Sequence, residues 1–519
     1  MPVLLSHTAG AFSNDGSASF GSSPEGLVQG QGIMGRFVAH SKAEAEMPQV
    51  AELPGLALDP ATQDFTSDKV PSDSAELNKL ADQYYFGEGL PVDDKKALAL
   101  YLKAAQQGYA SSQYALGIMY MQGRGTPQNY ESAFEWLNKA ANQGLAVSQD
   151  ALGFLYENGL GIAQNYTEAL QWYTKAANQN FTNAQNNLGR MYQLGRGVPK
   201  DEAQAAVWYH KAADLGDSVA QSNLGMMYEF GRSVPQSFKE AFAWYKKSAD
   251  QGDSLGQFNL ARFYENGIGI PQDYYAATIW YQKAADQGYA LAQYNLGRMF
   301  QFGWGVPQDD ATAASWYLKS AEQGDIRSQS SLGTMYELGT GVKQSFGDAI
   351  KWYKQAAEKG DVYGQYNLAR MYEEGTGLPK DYAAAFKLFI LAANGGLSFA
   401  ENNLGSMYQN GFGVEKDNAM AAVWYHKAAD HGDPRGQSNL GAMYEQGVGV
   451  PQNDAEAIKW YRKSAEQGDE YGQYNLARMY DTGKGVPKDE EQAVAWYRKA
   501  AQKGHAAAQA ELKKRKLSW

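Results

Sequence analysis

The chain has no cysteine among its 519 residues. A disulfide framework and thiolate metal sites are therefore excluded, and a reducing compartment is favoured. No stretch approaches the roughly 18 consecutive apolar residues of a transmembrane helix, so we expect no insertion into a membrane. The N-terminus also lacks the basic segment and the long apolar run of a secretory signal. We therefore expect a soluble chain, with the cytoplasm favoured as its location.

Basic charge is scarce as well. Lys and Arg number 46 against 57 Asp and Glu, which gives a formal net charge of −11. Because phosphate contacts need a basic face, this balance argues against a nucleic-acid partner. The six histidines show no spacing that is typical of a metal site. We expect neither a metal ion nor another cofactor.

Glycine, by contrast, is abundant, and its spacing is the strongest signal in the sequence. From Gly108 to Gly504 a glycine, replaced once by Asn180, closes a segment every 36 residues without insertion or deletion. A pair of large residues keeps the same period, from Trp136-Leu137 to Trp496-Tyr497. Self-similarity at a short fixed period is typical of stacked supersecondary units. It predicts twelve repeats over 73–504 and the start of a thirteenth at 505–519.

Each repeat contains two segments with helical spacing, which we call helix A and helix B. In 253–288, Leu260 and Tyr264 belong to the first segment and Trp280 and Tyr281 to the second, with a Gly-x-Gly turn between them. Residue 21 of every repeat is Asp, Asn or Ser, which cap helix N-termini, and the closing glycine suits a left-handed helix end. The sequence predicts an all-α solenoid of twelve helix-turn-helix repeats, with 505–519 as a C-terminal capping helix.

Residues 1–72 lack the repeat. They are rich in Ser, Gly, Ala and Pro and show no sustained apolar period. This composition predicts a disordered segment. An export or targeting segment is the alternative interpretation.

The segments AQYNLGRMFQFGWGVPQD (292–309) and WYHKAADLGD (208–217) resemble the Sel-one-like repeat family, a relative of the tetratricopeptide repeat. The resemblance covers about 73–517. It implies a right-handed superhelix of antiparallel helix pairs, with helix A on the concave side, and a scaffold or adaptor role in protein complexes. It also implies an alternative function, a secreted or translocated bacterial host-interaction factor with 1–72 as its export segment. Some secreted members carry a disulfide in each repeat, which this chain lacks.

Signals of catalysis are weak. The Gly-x-Gly turns follow no predicted strand and lack the third glycine of a nucleotide-binding loop. Gly252-Asp-Ser254-Leu-Gly256 matches the pattern of a nucleophile elbow, but a predicted helix precedes it where that elbow needs a strand. We therefore expect a protein without enzymatic activity.

The candidate partner-binding residues lie in helix A. Positions are counted from the first residue of each repeat, which is residue 73 in the first. Position 7 is Asn in eight repeats and position 10 is Arg in five, and this spacing places both on one helix face. By analogy with tetratricopeptide repeats, that face lines a groove for a protein or peptide partner. An amide can donate to and accept from a peptide backbone, and an arginine can hold a carboxylate. The candidate residues are Asn187, Arg190, Asn223, Asn259, Arg262, Asn295, Arg298, Asn367, Arg370, Asn403, Asn439, Asn475 and Arg478.

A structural role is the alternative for both residue types. An Asn that recurs so regularly can tie neighbouring repeats together, and an Arg can pair with a Glu of another repeat. If the arginines face the groove, they form a basic stripe that attracts acidic or carboxylate-terminated ligands.

Overall fold

The computed structural model describes residues 71–519, so the predicted disordered segment 1–72 lies almost entirely outside the described residues. Within that range the predicted all-α architecture is confirmed, with twelve helix pairs followed by a single helix. Odd numbers denote helix A of each repeat and even numbers denote helix B. The helices are α1 (Ser74–Phe86), α2 (Asp94–Gln106), α3 (Ala110–Gln122), α4 (Tyr130–Asn142), α5 (Ala146–Asn158), α6 (Tyr166–Ala177), α7 (Thr182–Leu194), α8 (Glu202–Asp214), α9 (Ser218–Phe230), α10 (Phe238–Asp250), α11 (Ser254–Asn266), α12 (Tyr274–Asp286), α13 (Ala290–Phe302), α14 (Asp310–Glu322), α15 (Ile326–Leu338), α16 (Phe346–Glu358), α17 (Val362–Glu374), α18 (Tyr382–Asn394), α19 (Ser398–Asn410), α20 (Asn418–Asp430), α21 (Pro434–Gln446), α22 (Asp454–Glu466), α23 (Glu470–Thr482), α24 (Glu490–Gln502) and α25 (Ala506–Lys514).

Each helix B begins at the capping residue that the sequence predicts. In all twelve repeats the side chain at position 21 accepts a hydrogen bond from a backbone N–H of the first helical turn. Asn165, for example, accepts from the Thr167 N–H at 3.0 Å. The caps satisfy amide groups that have no partner inside the helix, and they fix where helix B starts.

The turn between helix A and helix B is held by one recurrent hydrogen bond. In every repeat the backbone N–H of the capping residue donates to the carbonyl at position 12 of helix A, as from Ser345 to Tyr336 at 2.9 Å. The glycine that closes each repeat has a positive φ, and Asn180 adopts the same conformation with a φ of 63°. The prediction of a left-handed helix end at the closing residue is confirmed.

The described chain divides into two compact units, each a stack of helix pairs. The first comprises the described residues up to Leu260 with Ile268–Ile270, and the second comprises Ala261–Gly267 with Pro271–Trp519. In both units, helix A packs on helix B of its own repeat, and helix B packs on helix A of the next. In the second unit, α25 packs on α24 and buries Ala508 and Leu512, which covers the apolar end of that stack.

The core of each unit lies between the helices, and its largest fully buried side chains are mostly helix B tyrosines. The Tyr of the Trp-Tyr pair is fully buried, as at Tyr173 and Tyr353. The Trp is nearly buried, and a Lys one turn later covers its ring, with Lys175 Nζ lying 3.6 Å from the Trp172 ring centre. Aromatic side chains bury the largest areas, so this pair supplies much of the packing in each repeat.

Replacing Gly341 by Ala should destabilise the second unit more than replacing Gly360. Both glycines have a positive φ, of 69° and 89°, which costs a residue with a Cβ about 1–2 kcal/mol. At Gly341 the added methyl would also overlap the Asp310 carbonyl of the preceding repeat, whereas nothing lies within 4 Å at Gly360. We expect Gly341→Ala to cost roughly 2 kcal/mol more, read from urea unfolding by circular dichroism. Equal unfolding midpoints would contradict the close approach of this turn to the preceding helix.

Candidate partner-binding surface

The solvent-facing side of helix A is formed by positions 3, 7, 10 and 14, which we call the helix A stripe. Their spacing of four, three and four residues follows the helical pitch, while positions 4, 5, 8, 9 and 11 are almost all buried. In repeat 9 the stripe consists of Tyr363, Asn367, Arg370 and Glu374. The predicted Asn and Arg positions therefore lie on one face, and they are half-buried there, except for the buried Asn259 and Asn295.

Candidate arginines on helix A pair with a glutamate of the preceding repeat. Arg190 Nη2 lies 2.7 Å from Glu157 Oε2, and Arg298 Nη1 lies 3.3 Å from Glu265 Oε1. The glutamate lies 33 residues earlier, at position 13 of the preceding repeat and in its helix A, and it is nearly buried. The pairs are Arg190–Glu157, Arg298–Glu265, Arg370–Glu337 and Arg478–Glu445.

A buried tyrosine of helix B donates to the same carboxylate. The Tyr281 hydroxyl donates to Glu265 Oε2 at 2.6 Å, and the Tyr353 hydroxyl donates to Glu337 Oε2 at 2.8 Å. Each glutamate thus accepts from the tyrosine of its own repeat and from the arginine of the next, an arrangement that we call the inter-repeat clamp. Because a buried carboxylate is costly unless charged and polar groups satisfy it, the clamp joins neighbouring repeats.

The electrostatics of the clamp follow from this geometry. Burial alone would raise the pKa of Glu445, but the hydrogen bonds from Arg478 and Tyr461 outweigh it and hold that pKa below its ordinary value. Burial opposes the charged form of Arg190, and the adjacent Glu157 carboxylate more than compensates, which raises the pKa of the guanidinium. Glu445 and Arg190 therefore remain charged in the folded chain.

The sequence contains a signal for this pairing. The signal appears only when position 10 of one repeat is compared with position 13 of the preceding repeat. An Arg at position 10 occurs only where position 13 of the preceding repeat is Glu. Where position 13 is Gln, the tyrosine donates to that Gln, as from Tyr317 to Gln301 at 2.7 Å. The glutamates that precede the five arginines are Glu157, Glu229, Glu265, Glu337 and Glu445. The glutamines are Gln193, Gln301 and Gln409, and the corresponding residues at position 10 are Met226, Thr334 and Ala442.

Arg262 is the remaining candidate arginine. Its guanidinium carbon lies 5.7 Å from the centre of the Phe263 ring.

Ser254, from the Gly-x-Ser-x-Gly match, is the first residue of α11, and no strand occurs anywhere within residues 71–519.

The eight candidate asparagines fall into three groups. Three of them donate to position 6 of the preceding repeat, where that residue is Asp or Asn. These bonds join Asn187 to Asp150 at 2.9 Å, Asn223 to Asn186 at 2.8 Å and Asn439 to Asn402 at 2.8 Å. Within residues 71–519, Asn367, Asn403 and Asn475 have no side-chain hydrogen-bond partner and are half-exposed.

The other two asparagines are buried. Asn295 lies 3.4 Å from Arg298 and accepts a hydrogen bond from its guanidinium. The amide nitrogen of Asn259 has no partner in the described part of the chain. The residues at position 6 before the unpaired amides are Ser or aromatic, namely Ser222, Ser330, Tyr366 and Ser438. The side chain one repeat earlier therefore decides whether an Asn is tied to the stack.

Asp150, which accepts from Asn187, is a fully buried carboxyl in α5. Burial raises the pKa of Asp150 to about 7, against the opposing effects of the Asn187 hydrogen bond and the Arg190 charge. The negative charges of Glu157 and Asp217 raise it further. This carboxyl therefore changes protonation near neutral pH while it remains inside the first unit.

Among residues 71–519, no helix is both long and apolar enough to cross a membrane. No group of three or more His, Cys, Asp or Glu side chains there could hold a metal ion.

Antiparallel helix pairs, stacked through clamps between consecutive repeats, define an α-helical repeat protein. The Sel1 repeat family model matches twelve consecutive segments between 77 and 505. The chain belongs to the Sel1 repeat family. Proteins with these repeats are generally scaffolds for protein–protein interactions, and the resemblance seen in the sequence is confirmed.

Two solved structures of similar proteins come from bacteria. A protective antigen present in uropathogenic Escherichia coli strains, which displays an SLR fold, is 34% identical and covers 85% of this chain and 95% of its own, with a TM-score of 0.67. A Sel1 repeat protein from Oxalobacter formigenes is 32% identical and covers 47% of this chain and 96% of its own, with a TM-score of 0.42. No curated protein matches the chain.

Removing only one partner of a clamp should destabilise the second unit, whereas exchanging both partners should not. Arg298→Met leaves the nearly buried Glu265 carboxylate without its cation, which we expect to cost about 2–3 kcal/mol. The double variant Glu265→Gln with Arg298→Met copies the natural combination of Gln193 and Met226. We expect its urea unfolding midpoint to lie close to that of the wild type. A single variant as stable as the double variant would argue against the clamp.

Asp150→Asn should stabilise the first unit at pH 8 and change little at pH 4. The folded-state pKa of Asp150, about 7, lies above the unfolded value of about 3.9. Between these values the folded chain keeps a proton that the unfolded chain has lost, so stability falls as pH rises from about 4 to about 7. An Asn side chain does not titrate, so the variant loses this dependence of stability on pH. Asn also occurs naturally at the equivalent position of the next repeat, as Asn186. Urea unfolding at both pH values should show a gain on the order of 2 kcal/mol at pH 8 only.

Proposed function

We propose that the protein is a non-enzymatic scaffold or adaptor that binds segments of partner proteins along the helix A stripe. The observation that carries this proposal is the set of amides that the stack leaves unpaired. Asn367, Asn403 and Asn475 face solvent on the stripe without a side-chain partner in residues 71–519. A free amide can donate to and accept from the backbone of an extended peptide.

The packing of the second unit supports helix A as the inner side of the stack. The consecutive A helices α15 and α17 contact one another directly, as do α19 and α21, and α21 and α23. In a curved array, the helices on the inner side lie closer to one another than those on the outer side. A partner segment on that side meets the stripes of several repeats at once, so that many weak contacts add up.

The arginines act from within their clamps. A guanidinium carries five N–H donors, and the contact with one carboxylate leaves others to face the stripe. Arg298 and Arg370 are each about one-fifth exposed, so part of each guanidinium reaches solvent. The tied asparagines Asn187, Asn223 and Asn439 shape the same surface by holding neighbouring A helices in register.

A second candidate function is that of a secreted or translocated host-interaction factor. Its support is the 34% identity to the protective antigen of uropathogenic Escherichia coli. The export segment of this hypothesis, 1–72, lies almost wholly outside the described residues. Finding the full chain outside its cells, but not a variant without 1–72, would favour this function.

Replacing the unpaired amides should weaken partner binding without loss of stability. We expect the triple variant of Asn367, Asn403 and Asn475 to Ala to lose most crosslinked partners from a native lysate while its unfolding midpoint stays unchanged. The matched control replaces the tied residues Asn223 and Asn439 by Ala, which should lower the midpoint. If the triple variant captures the same partners in the same amounts as the wild type, binding lies elsewhere on the chain.

The arginines need paired substitutions in the same assay. Arg370→Glu alone would place a second carboxylate against Glu337 and disrupt the stack. Exchanging Glu337→Gln together with Arg370→Met removes the guanidinium from the stripe and keeps a hydrogen-bond acceptor for Tyr353. A drop in captured partners with an intact unfolding midpoint assigns the guanidinium to binding. Unchanged capture assigns it to the stack alone.

A further inference from the structure

Position 3 of helix A, which was not among the candidate positions, carries exposed aromatic and cationic side chains in the second unit. From repeat 8 to repeat 12 the residues at this position are Arg327, Tyr363, Phe399, Arg435 and Tyr471. The three aromatic residues are 44%, 40% and 59% exposed. In the first unit the same position holds Ala75, Ser111, Val147, Asn183, Val219 and Leu255. Clustered exposed rings are typical of an interaction site.

Several of these side chains rest on an aromatic ring of a neighbouring repeat. The guanidinium carbon of Arg327 lies 4.3 Å from the Tyr294 ring centre, and the Phe399 ring centre lies 6.3 Å from that of Tyr366. These contacts restrict the side chains before a partner arrives. A restricted side chain loses less conformational entropy on binding, so the surface is partly preorganised.

The stripe of repeats 8–12 is also positively charged, although the whole chain is acidic. Its charged residues are Arg327, Arg370, Arg435 and Arg478, against the single carboxylate of Glu374. Arg327 pairs with Asp325 at 3.2 Å, as Arg370 and Arg478 pair with the clamp glutamates Glu337 and Glu445. These three carboxylates lie beneath the surface, with side chains 9%, 10% and 5% exposed. The stripe of repeats 2–5 carries one charge only, that of Arg190. Positive charge on the helix A face is therefore concentrated in the second unit.

We propose that the helix A stripe of repeats 8–12 binds an extended, acidic segment of a partner protein. Apolar side chains of that segment pack on Tyr363 and Phe399, and its carboxylates reach Arg327 and Arg435. The free amides of Asn367 and Asn403 belong to the two repeats between these arginines and can bind the segment backbone. This inference rests on the proposed function. It specifies the class of partner and the repeats that bind it.

The spacing of the two cations sets a length for the segment. Packed helices lie about 8–10 Å apart, so three steps from repeat 8 to repeat 11 span about 27 Å. An extended chain rises about 3.3 Å per residue. Two carboxylates about eight residues apart, with apolar residues between them, therefore match Arg327 and Arg435.

The test uses the full chain and three fluorescent peptides, followed by anisotropy at low and moderate salt. The first peptide has two Asp eight positions apart with Leu and Phe between them, the second replaces Asp by Lys, and the third replaces Leu and Phe by Ser. We expect the first peptide to bind in a salt-dependent way and both others to bind at least tenfold more weakly. Equal binding of the Asp and Lys peptides, or no binding of the Asp peptide, would overturn the proposal.

Variants locate the site. Tyr363→Ser with Phe399→Ser should weaken the Asp peptide at least tenfold, and Arg435→Gln should weaken it several-fold and reduce its salt dependence. The matched control is Tyr275→Ser, which removes a tyrosine that is 66% exposed on helix B and should leave binding unchanged. Unchanged binding in the position 3 variants, with circular dichroism like the wild type, would overturn the proposal.

A photo-crosslinking amino acid separates failure of this inference from failure of the proposed function. It is placed in turn at Phe399, at Val219 on the stripe of the first unit, and at Tyr275 on helix B. Crosslinking of the Asp peptide at Phe399 alone supports both. Equal crosslinking at Val219 and Phe399 overturns the assignment to repeats 8–12 and leaves stripe binding standing. Crosslinking at Tyr275 alone overturns both.

Discussion

The close packing of helix A on the buried tyrosine of helix B is the constraint on which the rest of the structure depends. Gly297 shows how close this packing is, since a Cβ there would lie 2.7 Å from Tyr317 Cε1. The ring position then sets the reach of the hydroxyl, which bonds position 13 of helix A, as from Tyr281 to Glu265. When that residue is Glu, its second contact is the arginine of the next repeat. One steric contact within a repeat thus prepares the electrostatic contact between repeats.

The stack and the exposed stripe share residues, and this sharing limits what each can do. Removing the arginine from a clamp leaves a buried, unpaired carboxylate, which lowers the free energy of unfolding. An asparagine tied to position 6 of its neighbour uses one of its two N–H donors in the stack. Positions 3 and 14 hold residues of many kinds, so the packing of neighbouring repeats does not require a particular residue there. Residues at these positions can therefore vary without loss of the fold.

The two units differ in what they offer on this face. The stripe of repeats 2–5 is nearly uncharged, while that of repeats 8–12 combines exposed rings, free amides and four arginines. A repeat array whose repeats are alike in the core and unlike on one face can bind different partners along its length. Binding through several weak contacts in neighbouring repeats also makes affinity depend on the number of repeats engaged.

The sequence by itself determined the helices, their caps, their turns and the period of the array. These features depend on residues close together in the chain, such as the capping side chain at Asn165 and the left-handed Asn180. The sequence also placed the Asn and Arg candidates correctly on one face of helix A, because helical spacing alone decides that. Only the tertiary structure decided which of them are committed to the stack. That choice depends on the side chain 33 or 37 residues earlier, which stacking brings within hydrogen-bond distance, as Glu157 is brought to Arg190 and Asp150 to Asn187.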